Sequence, residues 1–306
     1  MRKKPKSQKS KPAGGTPDTL PPALALGAHM SIAGGVEKSI DRALGIGCTA
    51  MQIFVKSNMQ WFAPPFSEKE LAAWRGHPRR GELRCVFAHS GYMINLGATN
   101  PDFLDKSLRA LAEELTRADQ LGLPWLVLHP GAHMGTGIEA GLERIVAGID
   151  EVLHRIPKVK TRIALEATAG QGSSLGHTFE QLAFLLEHAR EPERLCICLD
   201  TAHIFAAGYD ITTEKKTAEV FGKFDCVVGL DRLSAIHMND SKPALGSRVD
   251  RHEQIGKGRI GTGAFRFIMN EPRLAAVPKV LETPKGADLK EDVENLALLR
   301  SLIPSR

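Results

Sequence analysis

No stretch of this 306-residue chain stays apolar for the ~20 residues that a helix needs to cross a bilayer, and its mean hydropathy is −0.16. A helical membrane span is therefore excluded. Cysteine is sparse: Cys48, Cys85, Cys196, Cys198 and Cys226 are an odd set without the spacing of a disulfide framework. All five read as reduced thiols, which predicts a cytoplasmic protein. The N-terminus has no apolar core segment of the kind a secretory leader carries. The body also has almost no net charge. The formal total is +5, and residues 1–22 hold Arg2, Lys3, Lys4, Lys6, Lys9 and Lys11 against Asp18 alone. Global charge therefore names no partner for the rest of the chain. Residues 1–22 have little to bury and are expected to form a disordered basic tail. Such a tail either solubilises the protein or adds non-specific DNA affinity.

What is present is ordinary globular material, 42% hydrophobic and 25% charged. From Leu24 onward a short apolar run, a polar loop and a stretch of helical spacing repeat. The runs are 24–30, 50–55, 84–90, 125–130, 162–168, 195–200, 233–240 and 278–284. Each is apolar on both phases, as in parallel strands covered on both faces. Between them, Ser67 and Glu70 form a potential capping box. Leu104, Leu108, Leu111, Leu115 and Ala118 mark one face of a long helix, and Leu182, Leu185 and Leu186 do the same after Thr178. An open doubly wound sheet is the structural alternative. Eight similar units in this length favour closure, and the expectation is one domain, residues 23–306, folded as a (β/α)8 TIM barrel.

The C-terminal ends of barrel strands form the working face. Six runs end at or near His89, His129, Glu166, Asp200, His237 and Glu282. One such residue is unremarkable, but closure points six at a common axis. Packed without metal they would carry unpaired charge and a desolvation cost that divalent cations relieve. His203 follows Asp200 by three residues, and Asp250 and His252 share a face of extended backbone in the loop after the seventh run. Nine imidazole and carboxylate candidates suit two or three ions, with Zn²⁺ favoured and Mn²⁺ or Fe²⁺ alternatives. Such centres suit in-line displacement at phosphorus, which predicts a metal-dependent phosphoesterase. Gly256–Gly261 matches G-x-G-x-x-G but follows no strand, so a dinucleotide site is not expected there. His133, His154, His177 and His188 lie away from the strand ends, and His29 is placed behind the ligands rather than among them.

The strings GAHMSIAGG (27–35), HSGYMINL (89–96), LHPGAH (128–133), LEATAGQGSSLG (165–176), CLDTAHIFAAGYD (198–210), HMNDSK (237–242), GSRVDRHEQIGKGRIG (246–261) and LETP (281–284) resemble the endonuclease IV family of apurinic/apyrimidinic (AP) endonucleases. They cover nearly the whole body in the family's order. The resemblance implies three zinc ions: one on His89, His129 and Glu166, one on Asp200, His237 and Glu282 with Glu166 bridging, and one on His203, Asp250 and His252. It further implies cleavage 5′ to an abasic site in double-stranded DNA, leaving a 3′-hydroxyl and a 5′-deoxyribose phosphate. The attacking hydroxide would come from the metal centre, and Glu166 would be its catalytic bridging carboxylate. Removal of blocked 3′ ends and a monomeric state are also expected.

Met59, Tyr92, Asn95 and Arg251 are the implied DNA contacts. Two positions depart from the family pattern: Met59 stands where an arginine is usual, and Ala167 follows Glu166 where an asparagine is usual. The competing readings are a sugar isomerase or epimerase on the same barrel, and a non-catalytic binder of DNA lesions. The excess of histidine and the Asp250–His252 pair argue against the first, and the complete ligand set argues against the second.

Overall fold

The computed structural model describes residues 24–304, so the expected tail lies outside the described residues. The chain runs β1 (Leu26–Met30), α1 (Lys38–Gly45), β2 (Ala50–Phe54), α2 (Glu68–Arg75), β3 (Cys85–His89), α3 (Pro101–Gln120), β4 (Trp125–Leu128) and α4 (Ile138–Arg155). It continues through β5 (Arg162–Glu166), α5 (Phe179–His188), β6 (Leu195–Asp200), α6 (Thr201–Ala207), α7 (Glu214–Val227) and β7 (Leu233–His237). A short hairpin, β8 (Asp240–Ser241) and β9 (His252–Glu253), precedes α8 (Thr262–Asn270), β10 (Lys279–Leu281) and α9 (Lys290–Ser301).

Eight strands close into a parallel barrel in the order β1-β10-β7-β6-β5-β4-β3-β2. The alternating register sends one phase of each strand inward. Ala25, Ala50, Phe87, Val127, Ala164, Cys196, Cys198, Ala235 and Val280 fill the interior. Alanines and cysteines combine with the larger Phe87, Val127 and Val280 to fill a lumen only wide enough for packed layers. The other phase meets the helices in a second core that includes Met51, Ile53, Leu111, Leu126, Leu165, Phe265 and Leu281. Both phases are buried, and this is why the runs read as apolar throughout.

Local signals act as expected. The Ser67 hydroxyl caps α2 and Glu70 returns the bond, completing the capping box. Asn100 and Thr178, not singled out as caps from the sequence, each accept one backbone N–H, of Phe103 and Gln181, at the starts of α3 and α5. Leu108, Leu111, Leu115 and Ala118 lie buried along α3. Two corrections concern boundaries. Several runs overshoot their strands, so β4 stops at Leu128 and β10 at Leu281, which leaves His129 and Glu282 as the first loop residues. The run 233–240 splits, its last residue opening the β8–β9 hairpin, which periodicity did not reveal because two-residue strands have no period. Among the described residues, no helix is long and apolar enough to cross a membrane.

Candidate metal centre

The nine candidate side chains converge at the C-terminal mouth of the barrel. His89, Glu166, Asp200 and His237 end β3, β5, β6 and β7, while His129 and Glu282 follow β4 and β10 directly. Asp200 is also the N-cap of α6. Its Oδ1 accepts from the backbone N–H of Ala202 (2.7 Å) and of His203 (3.0 Å), so the cap that starts α6 turns His203 toward the same mouth. His252 lies in β9 and Asp250 two residues before it.

Their donor atoms form three groups, each within 4.8 Å: His89, His129 and Glu166; Glu166, Asp200, His237 and Glu282; and Asp200, His203 and His252. Glu166 and Asp200 are each shared by two groups. Asp250 closes the third from outside, its carboxylate 3.2 Å from His203 Nε2 and 3.3 Å from His252 Nε2. The ligand-by-ligand expectation had Asp200 in the second group only; here its Oδ2 stands between His237 Nδ1 (3.7 Å) and His252 Nε2 (3.6 Å).

Outer hydrogen bonds fix the ring orientation of four of the five imidazoles. His89 Nδ1 donates to the Ser90 carbonyl (2.7 Å), His203 Nδ1 to that of Ala167 (3.0 Å) and His252 Nδ1 to that of Glu282 (3.2 Å). In each ring Nε2 is thereby left as the inward lone pair. His237 is reversed: its Nε2 donates to Gln52 Oε1 (2.8 Å) and its Nδ1 faces Glu166 (2.9 Å) and Glu282 (3.0 Å). Outer hydrogen bonds that select the tautomer of a ligand are the usual support of a bound metal. His203 Nε2 and His252 Nε2 are buried without any hydrogen-bond partner, although carboxylate oxygens stand nearby. An unsatisfied buried nitrogen costs about 1–3 kcal/mol, so an inward-facing pair of them fits a cation.

The electrostatics agree. Burial opposes ionisation of Glu166, but the charges of His129 and His237 and bonds from His129 and His203 outweigh it and hold its carboxyl well below the usual range. Glu282 is likewise held low against burial, chiefly by His237. Burial disfavours protonated His203, yet Asp200 and Asp250 raise it well above an ordinary histidine. A pocket that keeps its carboxylates ionised against burial and draws positive charge to its imidazoles could hold a cation.

Three supporting residues escaped the sequence reading. Gln52 bridges His237, Glu282 (2.5 Å) and His29 (2.8 Å). Asn239 donates to Asp200 Oδ2 (2.6 Å) and accepts from the Glu282 N–H (2.8 Å). Asp240 anchors the loop that carries Asp250 and His252. The available signal was a polar residue inside a run otherwise fit for burial. His29 stands behind Glu282 as expected, and the carbonyl of Ala167, rather than a side chain there, orients His203.

At the rim, Met59 is 79% and Tyr92 62% exposed. The Tyr92 ring stands over those of His89 (5.6 Å) and His129 (6.2 Å). Arg251 is exposed, its Nη1 donating to the Asp250 carbonyl. Asn95 is tied inward: Oδ1 accepts from Gly97 and Ala132, both at 2.9 Å, which joins the loops after β3 and β4 and leaves only its NH2 group for a ligand.

A closed parallel barrel with a His/Asp/Glu cluster at the strand ends defines the class, and residues 40–302 match the family described as xylose isomerase-like TIM barrels. Within that class the chain belongs to the endonuclease IV family. It is 51% identical over 277 residues to a probable endonuclease 4 of Chloroflexus aggregans, covering 90% of this chain and 97% of that protein. The corresponding protein of Trichlorobacter lovleyi is 48% identical, with 90% and 99% covered. The crystal structure of endonuclease IV from Thermus thermophilus superposes with a TM-score of 0.81 at 36% identity, covering 91% of this chain and 98% of that one.

Proposed function

We propose that this protein is a zinc-dependent DNA-repair AP endonuclease. It hydrolyses the phosphodiester 5′ to an abasic site in double-stranded DNA, leaves a 3′-hydroxyl and a 5′-deoxyribose phosphate, and clears blocked 3′ ends. The observation that carries this reading is the convergence of eight candidate ligands in overlapping groups around Glu166 and Asp200, with Asp250 against the third, and with four imidazole lone pairs fixed inward. The endonuclease 4 relatives, matched over nearly their full length, support it.

In this reading His89, His129 and Glu166 hold one ion; Glu166, Asp200, His237 and Glu282 a second; and His203, His252 and Asp250 a third, with Asp200 alongside. Zinc in such a centre lowers the pKa of water and neutralises charge on phosphoryl oxygens. The protein's part is to position. Glu166 sets the spacing of the first two groups. The mouth opens at His129 and Asp250, whose side chains are 35% and 40% exposed, so a phosphodiester reaches the cluster from that side. Lys242, Arg248, Arg251, Lys257 and Arg259 are exposed along the neighbouring loop and meet the DNA backbone. Met59 and Tyr92 enter the duplex at the lesion, where apolar wedges offset unstacking. Residues 1–22 add non-specific attraction for DNA.

The test is a duplex with one abasic site. The expected result is a single zinc-supported nick 5′ to the lesion that a chelator abolishes, from protein carrying about three zinc ions per chain. A metal-loaded protein that leaves this duplex intact overturns the reading, and interconversion of ketoses by the same sample would place the chain with the sugar isomerases.

A further inference from the structure

Seven of the nine ligands stand on or beside elements of the barrel, and their places follow from its closure. Asp250 and His252 do not. They lie midway along a 24-residue excursion, 238–261, whose only regular structure is the pair of two-residue strands β8 and β9. A hairpin that short has no stability of its own.

One buried carboxylate gathers both ends of the excursion. Asp240 Oδ1 accepts from the backbone N–H of Ser241 (2.7 Å) and Ile260 (2.9 Å), and Oδ2 from those of Gly256 (2.9 Å) and Gly258 (3.1 Å). Gly258 has to be glycine for this, because a Cβ there would collide with Asp240 Oδ1 and the Ser241 carbonyl. The G-x-G-x-x-G spacing thus has a use: the backbone concavity that elsewhere receives a phosphate closes here on the chain's own anion. Asn295 braces the same segment, its Oδ1 accepting from the Ile255 N–H (3.1 Å) and its Nδ2 donating to Gln254 (2.6 Å). Between these anchors the Lys242 N–H donates to the Arg251 carbonyl (3.0 Å), which aligns β9 and with it His252.

We propose that Asp240 is the positioning residue of the outermost metal site. It fixes the loop that presents Asp250 and His252, so that site is selectively lost when its carboxylate is altered. This rests on the centre being a metal site. The carboxylate of Asp240 acts only through the backbone N–H groups it holds.

Asp240→Asn places an NH2 group where an acceptor faced N–H donors, and Gly258→Ala forces a methyl into the seat from the opposite side. Zinc content and stepwise affinities are read by competition with a chromophoric chelator, with thermal melts of the metal-free proteins alongside. The expected result for both variants is about two ions instead of three. The weakest site should lose about 10–100-fold in affinity, as when outer supports of ligands are removed, while the two tighter sites stay within about threefold. Trypsin should cut faster at Arg248, Arg251 or Lys257. Two variants that keep three ions with unchanged affinities overturn the proposal, and so does a parallel weakening of all sites with a lowered metal-free melt, which marks a general structural role. Wild-type protein that binds no metal overturns this inference and the centre together, and that outcome is visible before any variant is made.

Discussion

Glu166 has four imidazoles on two oxygens: His89 (3.2 Å) and His129 (2.9 Å) at Oε2, His203 (3.2 Å) and His237 (2.9 Å) at Oε1. No neighbouring carboxylate can replace an anion placed so centrally. Glu166→Gln should therefore lower kcat by more than about 1,000-fold and release metal, since it deletes the bridging charge. Steady-state nicking with elemental analysis checks this, and activity within about tenfold of wild type would remove Glu166 from that role. Met59 makes the opposite kind of residue-scale claim, because its side chain is largely in solvent. Met59→Ala should weaken binding to abasic duplex more than to undamaged duplex. Met59→Arg should lower KM and steepen the salt dependence by at most about one unit, with kcat little changed. Equal losses on both DNAs after Met59→Ala would move the wedge role to Tyr92. Glu166 was legible because it ends an apolar run, whereas Met59 and Tyr92 were read from the family resemblance. Gln52 and Asn239 were not legible, because an amide inside a run takes its meaning from partners on other strands.

At the scale of elements, α3 does more than cover the barrel. Its Glu114 is buried, pairs with Lys56 from the loop after β2, and accepts from the Gly91 N–H (2.9 Å) in the loop after β3. Farther along, Phe103 packs on Trp61, and Arg117 donates to the carbonyls of Val55 (2.8 Å) and Pro64 (2.6 Å). One helix thus seats both loops that display Met59 and Tyr92. Removing one partner of a buried ion pair leaves the other charge uncompensated, so Glu114→Ala should destabilise the protein by about 3–5 kcal/mol. It should also narrow the difference in affinity between abasic and intact duplex. Denaturant melts and binding titrations measure the two effects, and a change under about 1 kcal/mol would show that Lys56 finds another partner. The helix itself was readable from its leucine spacing, but its polar face gave no indication of which loop it holds.

For the whole molecule, six barrel strands end in or next to a candidate ligand, so ions bound there would link the strands across the mouth. An ion present at 100 times its dissociation constant adds about 2.7 kcal/mol to stability. Chelation should therefore lower Tm by several degrees and zinc should restore it, as followed by calorimetry. An unchanged Tm would mean that the cluster binds no metal in the folded state. The sequence by itself determined the eight-unit alternation, the barrel, the capping box of α2 and which side chains stand at strand ends. These follow from periodicity and from chemistry within a few residues of chain. Only the tertiary structure decided that Asp200 serves two groups, that Gln52 turns His237 to present Nδ1 from 185 residues away, and that Asp240 fills the glycine-rich loop. Those arrangements depend on distances between segments far apart in the chain, and such distances exist only after the barrel has closed.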